Sequence, residues 1–198
     1  MKKITRTPAP DWLTEKSDEW GRQWQINYHR TQDSGKFRWR RNRKKGKDDL
    51  LHDLSAITQY HCSFCDAYPL GRRLQPTIEH FRPKTLFPLL AYQWDNLFLC
   101  CRRCQEKGDR FDEHLLKPDA DDYNFDTYFE IDWTSGKLKP SQTASPKNQA
   151  RAEITIKLYK LNENGKPEDR VAELEKFEDS NNPDINEWSY RFFIERAI

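Results

Sequence analysis

The chain has 198 residues, of which 35% are hydrophobic and 33% charged, with 34 Lys and Arg against 32 Asp and Glu. That is enough apolar material for a modest core, built as one domain or as a core with appendages. A net charge of +2 is too small for a global electrostatic pull on nucleic acid, so basic residues matter by position. No apolar run approaches a membrane span. The opening MKKITRTPAPDW lacks the apolar stretch of a signal peptide, which points to a cytoplasmic protein.

In chain order, Trp20, Trp24 and Tyr28 fall at i, i+4 and i+8, one stripe of a helix within residues 11–32. Ser17 is its expected cap, and the stripe reads as core. Residues 36–47 then carry eight basic side chains and no acid, among them Arg40, Arg41 and Lys44. Such a run can track a phosphate backbone, with Phe37 and Trp39 free to stack on bases or to pack inward. Leu50, Leu51, Leu54 and Ile57 repeat at helical spacing and lead into Cys62.

Two CxxC pairs follow, Cys62–Cys65 and Cys101–Cys104. Each pair can meet one ion from a tight turn, and two pairs make the four-sulfur set that structural Zn2+ accepts. Cys100, the fifth cysteine, reads as a small buried hydrophobe. The long stretch between the pairs holds Thr77-Ile78-Glu79-His80-Phe81, a short strand by its pattern. A neutral imidazole can take a proton from water, and a carboxylate beside it is a hard ligand for Mg2+ or Mn2+. Arg82 and Lys84 come next, then Asn96 ahead of the second pair. Arg103, Lys107 and Arg110 lie on or beside the helix that follows, Lys107 and Arg110 on a common face, as candidate phosphate contacts.

Beyond Lys117-Pro118, Asp119, Asp121 and Asp122 suggest a solvated loop. Alternation over 128–139 around Thr134-Ser135-Gly136 predicts a β-hairpin. A helix is expected from Pro146 to about Lys160, with Ala150, Ile154, Leu158 and Leu161 on its apolar face. A second is expected from Glu168 to Phe177, and a last one carries Trp188 and Phe192.

The string CxxC…EHFRPK…WDNLFLCCRRCQEKGD resembles the HNH endonucleases of the ββα-metal, or His-Me finger, superfamily. The resemblance implies an α+β fold with a ββα-metal core stapled by a four-cysteine zinc site and mainly helical extensions. It divides the chain into an N-terminal extension (1–58), the core (59–116) and a C-terminal hairpin and helices (117–198). It implies His80 as general base, Glu79 as ligand of the catalytic metal and Asn96 as the residue that orients the loop. The family's last metal ligand falls on Gln105, which departs from the usual His or Asn; Gln105 or Asp109 would have to serve.

A narrower likeness is to the PtuB-like HNH subunit of Septu-type and retron-associated anti-phage systems. It implies a nuclease, DNA favoured over RNA, working with an ABC/SMC-like ATPase of the PtuA type. An effector that cleaves tRNA or other RNA, and a non-catalytic zinc-stapled binding module, are the alternatives.

Overall fold

The computed structural model describes residues 1–40, 46–182 and 184–198. Its centre is an antiparallel pair of five-residue strands, β1 (Pro76–His80) and β2 (Leu97–Cys101). Pro76 lies opposite Cys101 and His80 opposite Leu97. All five residues of β2 are buried, the run of Leu, Phe, Leu and two Cys filling both of its faces. Helix α4 (Arg102–Gln105) leaves β2 directly. The order strand, loop, strand, helix is thus continuous around the second cysteine pair.

Ahead of this unit, among the described residues, come α1 (Asp11–Thr14), α2 (Ser17–Thr31) and α3 (Gly46–Thr58). Ser17 does not cap α2. It is the first helical residue, the cap position is Lys16, and no side chain bonds the free N–H groups there. On α2, Trp24 is buried and its indole N–H donates to the Lys84 carbonyl at 2.8 Å. Gly21 sits where a Cβ would come within 2.6 Å of the Leu89 carbonyl oxygen, so only glycine lets α2 press onto the loop between β1 and β2.

After α4 come α5 (Phe125–Tyr128) and the hairpin β3 (Phe129–Asp132) with β4 (Lys137–Pro140). Helices α6 (Pro146–Leu158), α7 (Lys166–Glu178) and α8 (Arg191–Ala197) complete the chain. The buried stripe of α6 is Ala152 and Thr155, continued by Tyr159, while Ala150 is exposed. Ile154 and Leu158 of the expected face pack against the core and Leu161 is buried, while the Thr155 hydroxyl takes the Leu116 N–H at 3.0 Å, which an apolar-periodicity count does not see. Asp119 likewise is not a solvated loop residue: it pairs with Arg6 at 2.6 Å. The fold of the described residues is therefore mixed α and β with two small sheets.

One apolar core gathers residues from all three segments, from Leu13 and Trp24 through Phe64 and Phe98 to Phe192 and Phe193. The first cysteine turn is tied to α8 by a buried ion pair. Arg191 holds the Asp66 carboxylate at 2.8 Å and also donates to Gln59 at 2.7 Å. Among the described residues no helix is long and apolar enough to cross a membrane.

Candidate metal centre and candidate active site

The four cysteines meet at one end of the hairpin. Cys62 and Cys65 lie in a turn closed by the Asp66 N–H on the Cys62 carbonyl (2.9 Å), and Ser63 bonds across to the Leu99 carbonyl (2.9 Å). Cys101 ends β2 and Cys104 sits on α4, so the strand-to-helix junction itself sets the second pair. The four sulfurs are buried and lie within 4.8 Å of one another, with Cys65 and Cys101 3.6 Å apart. They are free thiols. Tetrahedral zinc with bonds of about 2.3 Å places sulfurs about 3.8 Å apart, so the set fits that ion.

The electrostatics agree. Burial opposes ionisation of Cys62, yet hydrogen bonds from the neighbouring sulfurs hold its thiol well below the usual value. The same cluster pushes Cys101 and Cys104 up. Further thiolates in this buried cluster need a cation, which a bound divalent metal supplies. A cavity of about 590 Å3 adjoins this end, bordered by Cys65, Cys101, Arg103, Asp169 and Tyr190.

His80 is at the opposite end of β1, four residue rises or about 13 Å along the strand from Pro76. It is buried at 8% exposure. Its Nε2 lies 2.9 Å from the Ala91 carbonyl oxygen. A carbonyl only accepts, so Nε2 carries the proton and Nδ1 keeps the lone pair. Burial lowers the His80 pKa to about 3, with Lys84 and Lys107 adding to the fall, so the imidazole is neutral at pH 7.

Asn96 braces the loop that presents this carbonyl. Its side-chain oxygen takes the Arg82 N–H at 2.8 Å, and its amide nitrogen donates to the carbonyls of Arg82 and Leu90, both at 3.0 Å. Leu90 immediately precedes Ala91. One buried amide therefore joins the start of the loop to the residue next to the partner of His80.

Glu79 faces away from His80, as neighbouring residues of a strand do. Its Oε1 is 2.8 Å from the Lys107 ammonium, both side chains being buried, although the approach is too oblique for a hydrogen bond. Its Oε2 accepts from the Gln105 amide at 3.3 Å. Burial raises the Glu79 pKa to about 7 against the pull of Lys107. Asp109 is exposed. Among the described residues, the cysteine cluster alone brings three or more His, Cys, Asp or Glu ligand atoms together. Glu79, Gln105 and Asp109 in this arrangement do not fit a divalent ion, because both oxygens of Glu79 already face N–H groups.

The expected phosphate contacts are placed unevenly. Lys107 is 1% exposed and shares no outer face with Arg110; its ammonium also lies 3.2–3.4 Å from the carbonyls of His80, Phe81, Gly108 and Arg110. The chain leaves α4 after Gln105, so the helical spacing that would align the two residues is lost. Arg103 pairs with Asp169 at 2.8 Å. Arg82 pairs with Glu113 at 3.2 Å and lies over Phe87 and Phe111. Lys84 lies over the Phe37 ring, and Arg110 is exposed. Arg40 donates to Gln23 at 3.0 Å. Arg41 and Lys44 lie outside the described residues.

Sequence reasoning missed what surrounds the imidazole. Trp39 stacks on His80 with ring centroids 5.1 Å apart and planes 3° apart, and Phe37 meets it edge-on at 5.3 Å. The only signal was the presence of two aromatics in a basic run.

This is a buried four-cysteine centre and a Glu-His pair carried on one strand–loop–strand–helix unit. No family model matches the chain. It is 29% identical over 79 residues to the Septu protein PtuB of Bacillus thuringiensis. The match takes in 38% of this chain and 31% of that protein, so the chain aligns with less than a third of its relative's length.

Proposed function

We propose that this chain is a nucleic-acid phosphodiester hydrolase of the HNH type, acting in anti-phage defence beside an ATPase subunit, with DNA favoured as substrate. The observation that carries the reading is His80: a neutral imidazole at a strand end, its Nε2 committed to a carbonyl and its Nδ1 without a hydrogen bond among the described residues. The likeness to the Septu protein supports the defence role. The ATPase rests on the family resemblance.

In this reading Nδ1 of His80 takes a proton from water as the water oxygen attacks phosphorus in line. The Ala91 carbonyl then steadies the imidazolium, and the bond to the leaving oxygen breaks, that oxygen taking a proton from solvent. Lys84 and Arg82, next to His80 in sequence, offset the charge that grows on the phosphate. Zinc on Cys62, Cys65, Cys101 and Cys104 cross-links the far end of the hairpin when bound and leaves the chemistry to His80. Arg40 and Arg110 extend the phosphate contacts.

The pairing of Glu79 with Lys107, and Gln105 in place of a stronger ligand, favour a second reading: a zinc-stapled binding module without cleavage. Plasmid and RNA cleavage by wild type and His80→Ala separates them, with Mg2+ or Mn2+ and with and without an ATPase subunit of the PtuA type. Cleavage by wild type that disappears in His80→Ala, at unchanged zinc content, is expected. Full cleavage by His80→Ala would refute the assignment of the base. Binding without cleavage under every condition would select the second reading.

A further inference from the structure

The hydrogen bond at Nε2 does not by itself aim Nδ1. The outer torsion of a histidine side chain is a broad well, so a ring held at one nitrogen still tilts and swings. In this chain the ring plane is set by a neighbour far away in sequence. Trp39 lies parallel to the imidazole to within 3°.

Trp39 is itself wedged in place. Phe37 meets it edge-on at 5.0 Å and packs in turn on Trp24 at 5.1 Å and on Tyr92 at 5.2 Å. The backbone between the two aromatics is pinned by the Tyr92 hydroxyl, which donates to the Arg38 carbonyl at 2.5 Å. On its outer side the same segment lines a small groove of about 140 Å3 with Lys36, Arg38 and Arg40.

We infer that Trp39, backed by Phe37, is a positioning residue for His80, and that it builds the basic segment 36–40 into the active site. The inference rests on His80 being the general base. A basic run on a free linker would affect only binding. Here the residues suited to a phosphate backbone share a rigid segment with the ring that orients the base, so an error in this segment alters turnover.

The test uses the full chain with 15N-labelled histidine. Long-range 15N–1H correlation reads the tautomer of His80, whose signals are those missing from His80→Ala. Wild type is expected to show the single Nε2–H tautomer, with ring protons displaced by the indole face above them. Trp39→Ala should remove that displacement and broaden the Nε2–H signal as the ring swings about its one bond, while Trp39→Phe recovers most of both. Zinc content and melting temperature report whether each variant is folded; if Trp39→Ala is not, Trp39→Phe carries the comparison through a partial displacement. In cleavage, Trp39→Ala should lower kcat by roughly 10- to 100-fold at unchanged KM, as misplacing a reacting group does. His80 signals that are the same in both folded variants as in wild type would overturn the inference, whatever the cleavage rates. Altered signals in a protein that never cleaves would leave Trp39 as the residue that orients His80 and discard the nuclease reading.

Discussion

Replacing Asn96 with alanine tests the link between the loop and the site. The side chain is 4% exposed and makes three hydrogen bonds at 2.8, 3.0 and 3.0 Å. At roughly 1 kcal/mol net for each, the loss comes to about 3 kcal/mol, with the Arg82 N–H and carbonyl left unmet and the Leu90 carbonyl keeping the Gln93 N–H at 3.2 Å. For a chain of this size that lowers Tm by roughly 6–12 °C, at about 2–4 °C per kcal/mol. Urea denaturation followed by circular dichroism, with zinc present, measures it. The same change leaves the Leu90 carbonyl held by the Gln93 N–H alone and loosens the loop that presents the Ala91 carbonyl, so the His80 Nε2–H signal should also broaden. Asn96→Asp keeps the acceptor for the Arg82 N–H but sets a buried carboxylate oxygen against the Arg82 and Leu90 carbonyl oxygens, so it should lose at least as much as alanine. A loss below about 0.5 kcal/mol, the range of an ordinary surface substitution, would refute the bracing role.

Three other changes test other parts of the molecule. Cys101→Ser should cut bound zinc, measured by elemental analysis, and abolish cooperative melting; a normal melt with the zinc gone would show that the metal does not hold the fold. Arg191→Met leaves Asp66 as a buried unpaired carboxylate and should cost about 3–5 kcal/mol, read by the same denaturation. Glu79 and His80 pull in opposite directions with pH. The Glu79 contribution, with its pKa raised by burial to about 7, is fully present below its unfolded value of 4.5 and is lost as pH rises through 7. That of His80, lowered by burial to about 3, is present above 6.5 and is lost as pH falls. Glu79→Gln should therefore gain on wild type by up to about 3 kcal/mol between pH 4.5 and 8. A stability difference that does not move with pH would refute the burial of an ionisable Glu79.

The cysteine pairs, the Glu-His pair and most helices were legible because each depends on spacing along the chain. A CxxC pair needs only a tight turn, an amphipathic helix only its 3.6-residue repeat, and a hairpin its alternation with a turn between. The stretch 62–105 thus carries, on spacing alone, a short strand, a helix and the two cysteine pairs of a four-sulfur set. Lys107 shows where that reasoning ends. Its spacing from Arg110 suggested a common exposed face, but the chain leaves α4 at Gln105 and the ammonium turns in toward Glu79. Burial of a charge depends on a partner brought by the fold, which no local pattern encodes.

What the sequence by itself determined here is the set of chemical groups and the strand, turn and helix that carry them. Tertiary structure alone decided which of those groups face each other. It set Trp39 on His80, 41 positions away, turned Glu79 toward Lys107, and paired Asp66 with Arg191 across 125 residues. The reason is physical: periodicity reports the side of an element that seeks burial, whereas aromatic stacking and buried ion pairs are settled by whichever distant surface fills that side at close-packed density.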